Sequence, residues 1–310
     1  MTPNFQPLAR LFDDWRGDVL SGKPPVLYPV GDGEQARVEI GPGLVTIMGG
    51  APGAGKTALV MQWVFEALAR TDDLRALVCN VEMSPSVLID RQLARLSGID
   101  ARVIRHRQFD PEHKDRLDAG MTAIQTLADR LAFVGPPYSL ENVAVSADAF
   151  NADLILVDYI QRIAGKGGEA DRRGSIDRAM NEIRGFADAG VAVVVVAALN
   201  RGAEAKGYNP DALTLASFRE SSELEYGADD CFILAPEPGA NDVAVLKHLK
   251  SRHGECRDLR LRFDKPRQRF DDADPITIAF PSSGGGKPKI NPKVAALWEQ
   301  AETADDGGSV

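Results

Sequence analysis

Gly50-Ala51-Pro52-Gly53-Ala54-Gly55-Lys56-Thr57 decides how this chain is read. It fits the pattern G-x-x-x-x-G-K-[ST] without a mismatch. Residues 44–48 before it are an apolar strand. Residues 57–70 after it set Leu59, Trp63 and Leu68 on the inner face of a helix. In that setting the glycines let backbone N–H groups turn toward a β-phosphate, and the helix N-terminus adds its positive end. Lys56 then bridges the β- and γ-phosphates and Thr57 ligates Mg²⁺, with Ala58 completing the nucleotide-binding run. A glycine-rich turn arising by chance would lack the strand before it and the helix after it.

Outward from this loop, strand-like and helix-like stretches alternate. Apolar runs at 76–81, 131–134, 154–157 and 191–199 read as central parallel strands buried on both faces. Ser84-Pro85 opens a helix and Gly98 closes it. This alternation predicts an α/β fold with a mostly parallel sheet and right-handed crossovers. Runs at 231–235, 243–249, 259–263 and 276–280 crowd together and predict an antiparallel extension of the same sheet. Before the loop, Phe5, Leu8, Phe12, Trp15 and Val19 recur at steps of three and four, predicting a helix over 4–20 with a narrow apolar stripe. Two readings of that stripe stay open: packing on its own domain, or docking on a neighbouring subunit across the Gly22-Lys23-Pro24-Pro25 connector. The domains expected are 1–37 (helix and connector), 38–280 (the α/β domain) and 281–310 (a flexible tail with a short helix from Asn291-Pro292).

Composition narrows the class. The chain has 310 residues and is 44% hydrophobic, enough for a sizeable core. It has no run of about 18 apolar residues and no signal-peptide pattern, so a cytoplasmic protein without a membrane span is expected. Cys79, Cys231 and Cys256 make no CxxC pair, which suits a reduced compartment. A net charge of −9 speaks against a general nucleic-acid coat but leaves room for a narrow basic channel.

Several polar residues stand at strand ends. Asp158 ends the run 154–157, where a carboxylate beside the phosphate loop can hold the Mg²⁺ shell. Asp153, at the other end, is expected to face solvent. Glu82 is either an ordinary strand-end acid or a group that orients water at the γ-phosphate. Asn200-Arg201 ends the longest apolar run and is either a turn or a sensor of the γ-phosphate. Lys250-Ser251-Arg252-His253 is either a solvated basic turn or a finger for a nucleotide on the next subunit. Arg102, Arg105, His106 and Arg107 read as an exposed helix face. No Asn-Lys-x-Asp guanine-reading motif occurs, which favours ATP, and the histidines have no metal-ligand spacing.

Together these blocks resemble, over roughly residues 38–280, the ATPase domain of bacterial replicative helicases of the DnaB type, a RecA-like fold. Gly50–Thr57 is similar to the family's phosphate loop, and Val81-Glu82-Met83-Ser84 to its "LEM" block, which implies that Glu82 is the catalytic base. Val157-Asp158-Tyr159-Ile160-Gln161 resembles "IDYLQ", and Leu199-Asn200-Arg201 the end of "SQLNR". Phe218-Arg219-Glu220-Ser221 with Glu225 resembles "LRES…IE". Lys250-Ser251-Arg252-His253-Gly254 resembles "KQRNG", which implies a trans-acting finger pair of Lys250 and Arg252. The resemblance further implies a ring, a hexamer, with ATP and Mg²⁺ at subunit interfaces. Single-stranded DNA would thread its centre against one loop bearing Lys166, Arg172 and Arg173 and another from Arg201 through Lys206. The segment 4–20 sits where the family has a linker helix that packs on the neighbouring subunit.

Three departures go with this. The family's N-terminal helical collar has no counterpart in the roughly 40 residues before the first strand. Ala198 stands where the family has glutamine. The tail after 281 has no match. The function expected is an oligomeric, DNA-stimulated ATPase that translocates and unwinds. The alternative is a RecA-like switch that acts with a protein partner, as a loader or regulator, without unwinding.

Overall fold

A buried strand must pair every backbone N–H and C=O, and the apolar runs around the phosphate loop do so in parallel. In the computed structural model, which describes residues 5–164, 172–200, 208–218 and 223–273, β1 (Val45–Gly50) lies between β5 (Ala192–Val196) and β6 (Asp230–Pro236). Next to β5 come β4 (Leu154–Asp158), β2 (Ala76–Asn80) and β3 (Leu131–Phe133), all parallel. Beyond β6 the sheet turns antiparallel through β7 (Val243–Ser251), β8 (Leu259–Asp264) and β9 (Arg269–Asp272). The order is β3-β2-β4-β5-β1-β6-β7-β8-β9. This is the expected mostly parallel α/β sheet with its antiparallel extension; the expected strand at 276–280 lies outside the described residues.

The two-residue period of a strand splits the core into two layers. Met48, Leu156, Val194 and Phe232 face α2 (Lys56–Arg70). Ile47, Ile155, Val193 and Ile233 face α6 (Leu140–Phe150) and α8 (Arg172–Asp188). On α8, Ile176, Met180, Ile183 and Ala187 follow helical spacing and are buried. α3 (Pro85–Ser97), α4 (Ala101–His106) and α5 (Lys114–Gln125) make a smaller satellite core around Leu93, Ala94, Ile99 and Ile104. Two further short helices are α7 (Ile160–Ile163) and α9 (Glu223–Gly227). Arg102, Arg105, His106 and Arg107 lie exposed on and just after α4.

Some expected boundaries move for identifiable reasons. β1 does not stop at Met48: Gly49 and Gly50 pair with Ile233 and Leu234, so the strand carries the first glycine of the loop. The run 191–199 is strand only to Val196; beyond it the Ala197 N–H bonds to Met48 O, and Leu199 bridges to Phe218. Asp153 does not face solvent. It is half-buried, and its Oδ2 accepts the Arg75 N–H at 2.9 Å, capping the start of β2. β9 was not expected because Arg-Phe-Asp-Asp has a single apolar residue. That residue, Phe270, stacks on Phe263 with centroids 4.1 Å apart. Its N–H and C=O are both taken by the Gln62 side chain, at 2.9 and 2.7 Å.

α1 (Leu8–Ser21) ends at Gly22, left-handed at φ 65°. Leu8, Phe12, Trp15 and Val19 are all exposed, so the stripe does not pack on the described residues of its own chain.

Trp63 is 1% exposed and meets Phe232 edge-on at 6.2 Å. Trp63→Ala is expected to lower unfolding free energy by about 3–5 kcal/mol, seen as a lower urea midpoint with an unchanged slope.

Candidate nucleotide site

The carboxyl ends of β1, β2, β4 and β5 open onto a cavity of about 710 Å³, where open parallel sheets bind their ligands. The phosphate loop is its floor. Gly55 caps α2 at φ 99°, and a Cβ there would stand 2.8 Å from both Phe263 and Phe270; only glycine fits. The Lys56 Nζ donates to Gly50 O at 2.8 Å and Ala51 O at 3.0 Å. Burial lowers the pKa of this ammonium below the usual lysine value, against the pull of Asp158 and Glu82. An anionic phosphate beside it would relieve that cost.

Asp158 is buried at the end of β4. Its Oδ2 accepts from the Thr57 hydroxyl at 2.6 Å and from the Asn80 amide at 2.8 Å. Burial raises its pKa above the usual carboxylate range, while Thr57 and Lys56 act to lower it. A carboxylate and a hydroxyl in contact, both hard oxygen donors at the foot of an anion cradle, are a set that fits Mg²⁺ retaining several waters. Glu82 follows β2 with its side chain exposed on the cavity wall, and its N–H donates to Asn80 Oδ1 at 3.0 Å.

Two sets of lining residues escaped the sequence reading. Arg91 reaches the cavity from α3; burial lowers its pKa and Asp158 counters this. Its signal was present, since Leu88, Arg91 and Arg95 recur at i, i+3 and i+7 on the helix that begins just after Glu82. Phe263, Lys265 and Gln268 reach the cavity from β8 and the turn to β9. That turn is tied back by Ala101 N–H to Pro266 O and by Arg267 Nε to Gly98 O, each 2.8 Å.

The remaining candidates divide. Ala197, Ala198 and Leu199 line the cavity, and the Ala198 N–H donates to Gln161 Oε1 at 3.1 Å. Asn200 stands just past them: its N–H donates to Ser217 O at 2.9 Å and its side-chain amide to Ala216 O at 2.6 Å. Lys250 and Arg252 lie at the opposite end of the sheet. Ser251 pairs with Asp230 and Asp230 with Thr46, four residues of β1 before Gly50, a separation of about 13 Å at the usual strand rise. There Arg252 pairs with Asp229 at 2.9 Å and donates to Tyr226 O at 3.0 Å, while the Lys250 Nζ donates to Ala228 O at 2.6 Å. Asp229 is 2% exposed; its Oδ2 also accepts from Val45 N–H at 2.8 Å and Arg184 at 2.7 Å. Lys166, Arg201 and Lys206 lie outside the described residues, as do residues 219–221, and nothing is described of the Arg172, Arg173 and Glu225 side chains.

Residues 40–272 match the family described as DnaB-like helicase C terminal domain. A relative from Chlamydia trachomatis, serovar L2, a "Probable plasmid replicative DNA helicase", is 25% identical over 252 residues, covering 78% of this chain and 54% of the relative. The "Replicative DNA helicase DnaC" of Bacillus subtilis is 24% identical over 246 residues, covering 73% of this chain and 53% of the relative. The chain thus spans about half the length of the curated relatives it matches. Among solved structures, "The Structure Of A DnaB-Like Replicative Helicase And Its Interactions With Primase" superposes with a TM-score of 0.72 at 18% identity, covering 88% of this chain and 68% of that one. A second solved structure, of an isolated ATPase domain, superposes with a TM-score of 0.73 at 17% identity, covering 87% and 100%. These likenesses give the fold as RecA-like. No helix among the described residues is long and apolar enough to cross a membrane.

Arg91→Gln is expected to weaken a nucleoside triphosphate more than the diphosphate, by about tenfold, because a guanidinium at the far wall favours the more charged ligand. Competition against a fluorescent diphosphate measures the ratio.

Proposed function

Because the chain belongs to the DnaB-like helicase C-terminal domain family, we propose that it is an ATP-driven motor that assembles head to tail and translocates on single-stranded DNA to unwind duplex. The observation that carries this reading is the split between the two ends of the sheet. One end holds Lys56, Thr57, Glu82 and Asp158 around a cavity. The other presents Lys250 and Arg252, too far to serve their own cavity. A heterologous contact, one copy's trailing end on the next copy's cavity, completes the site and closes into a ring, for which the family suggests six subunits.

In this reading Lys56 leaves the Gly50 and Ala51 carbonyls for the β- and γ-phosphates of ATP. Thr57 and Asp158, whose side chains are in contact, would hold Mg²⁺. The ion held by them would supply Lewis-acid withdrawal of charge from the phosphate oxygens. Glu82 orients the attacking water and accepts its proton. Arg252 and Lys250 of the neighbouring copy neutralise charge that develops on the transferring phosphoryl group. For this, Arg252 must exchange its ion pair with Asp229 for the phosphate, so engagement of the neighbour competes with a contact inside the chain.

DNA contact falls to the segments bearing Lys166, Arg172 and Arg173, and Arg201 to Lys206. They follow the carboxyl ends of β4 and β5, the same ends that line the cavity. In this reading a change at the γ-phosphate passes along the chain through β4 and β5, whose following residues Gln161 and Ala198 are joined by a hydrogen bond. A basic lumen within an acidic exterior would reconcile DNA binding with a net charge of −9. The exposed stripe of α1 is assigned to docking on the neighbouring copy, and a loader or replication protein is the further partner expected. A 14-residue helix with its apolar side in water gains its stability from such a partner.

Lys56→Ala and Arg252→Ala are each expected to abolish ATP hydrolysis, with activity returning on mixing. Random assembly of equal amounts leaves about a quarter of the interfaces with both residues intact. No recovery on mixing would sink the trans arrangement while leaving the cavity's own roles standing. Replacing Trp15 and Phe12 by Ser is expected to shift sedimentation toward monomer, weakening assembly about tenfold or more without changing ADP affinity.

A further inference from the structure

Asn80 is the last residue of β2 and is 5% exposed. Strands disfavour asparagine, and a buried amide costs free energy unless it is bonded. An apolar residue like its neighbours along β2 would satisfy the packing. The hydrogen bonds of the Asn80 amide lead instead to the nucleotide site. Its Nδ2 donates to Asp158 Oδ2 at 2.8 Å. Its Oδ1 accepts the N–H of Glu82 at 3.0 Å and of Met83 at 2.8 Å. The β2–β4 register sets Asn80 directly opposite Asp158, and the Val81 N–H bonds to the Asp158 carbonyl at 3.0 Å, so the link follows from strand pairing rather than from a loose loop.

We propose that Asn80 is a positioning residue, tying the backbone of Glu82 to the Asp158 carboxylate so that the general base and the metal-holding acid keep a constant separation. The proposal rests on the roles given above to Glu82 and Asp158. The side chain of Glu82 is exposed, so nothing buried around it sets its direction. Its backbone N–H is the handle by which the protein fixes it, and Asn80 holds that handle. A base is effective only when held near its productive geometry, and misplacement costs rate rather than affinity. Asn80 touches neither phosphate nor water in this scheme; it acts through Glu82.

The test is steady-state ATP hydrolysis by the full chain, with ADP affinity and thermal melting measured on the same samples. Asn80→Ala is expected to lower kcat by about 30-fold or more, within the range that a positioned base contributes, while KM and ADP affinity move less than about threefold. In a Glu82→Gln background, where the base is already absent, Asn80→Ala is expected to cost nothing further. Unchanged kcat in Asn80→Ala, or equal losses in both backgrounds, overturns the proposal and leaves Asn80 a structural amide. Full activity in Glu82→Gln overturns the role of Glu82 itself, which separates failure of the underlying reading from failure of the link. Should Asn80→Ala not fold, Asn80→Asp runs through the same cycle. Replacing the side chain there by an acid also sets a second carboxyl against Asp158, so Asn80→Leu, which keeps the shape of the side chain and loses both ends of the link, is run beside it. A kcat loss that vanishes in the Glu82→Gln background supports the link, and full activity or an additive loss overturns it.

Discussion

Parallel pairing of β1 with β5 and of β4 with β5 and β2 is the constraint on which the site depends. Strands covered on both faces are nearly all apolar along their length, so chemistry is pushed to their ends. Pairing in parallel then gathers those ends: Gly50, Asn80, Asp158 and Ala197 come from four separate stretches of chain yet stand at one site. The hydrogen bond from Thr57 to Asp158 joins residues 101 positions apart and is a product of that alignment.

The antiparallel half of the sheet serves a different purpose. β6 continues the parallel set, and β7 runs back along it, returning Lys250 and Arg252 to the amino ends of the central strands. Asp229 anchors that end, accepting the Val45 N–H and pairing with Arg184 and Arg252. A carboxylate this buried is tolerable only with such partners. β8 and β9 then bring Phe263 and Phe270 against Gly55. The phosphate loop is thus shaped from behind by the last described strands as well as by its own glycines.

α1 fits neither layer. Its apolar stripe meets no core among the described residues, and its C-terminal Gly22 leads into Lys23-Pro24-Pro25. In the head-to-tail assembly proposed above, the stripe would meet a neighbouring copy, as Arg252 would.

Local sequence was enough for the α/β class, the phosphate loop, and the strand-end acids Glu82 and Asp158. Its signals are short: a glycine pattern, a run of apolar residues, a polar residue where the run stops. It also carried the apolar stripe of α1, though not which surface the stripe meets. Other features came only with the folded chain. Arg91, Phe263 and Gln268 share the cavity, β9 exists on the strength of one phenylalanine and Gln62, and Asp153 caps a strand. Asn80 links two candidate site residues, and Arg252 sits about 17 Å along the strand from its own loop. Each of these depends on which strand lies beside which and in what register. Register is set by burial across the whole sheet, a long-range property that no window of sequence contains.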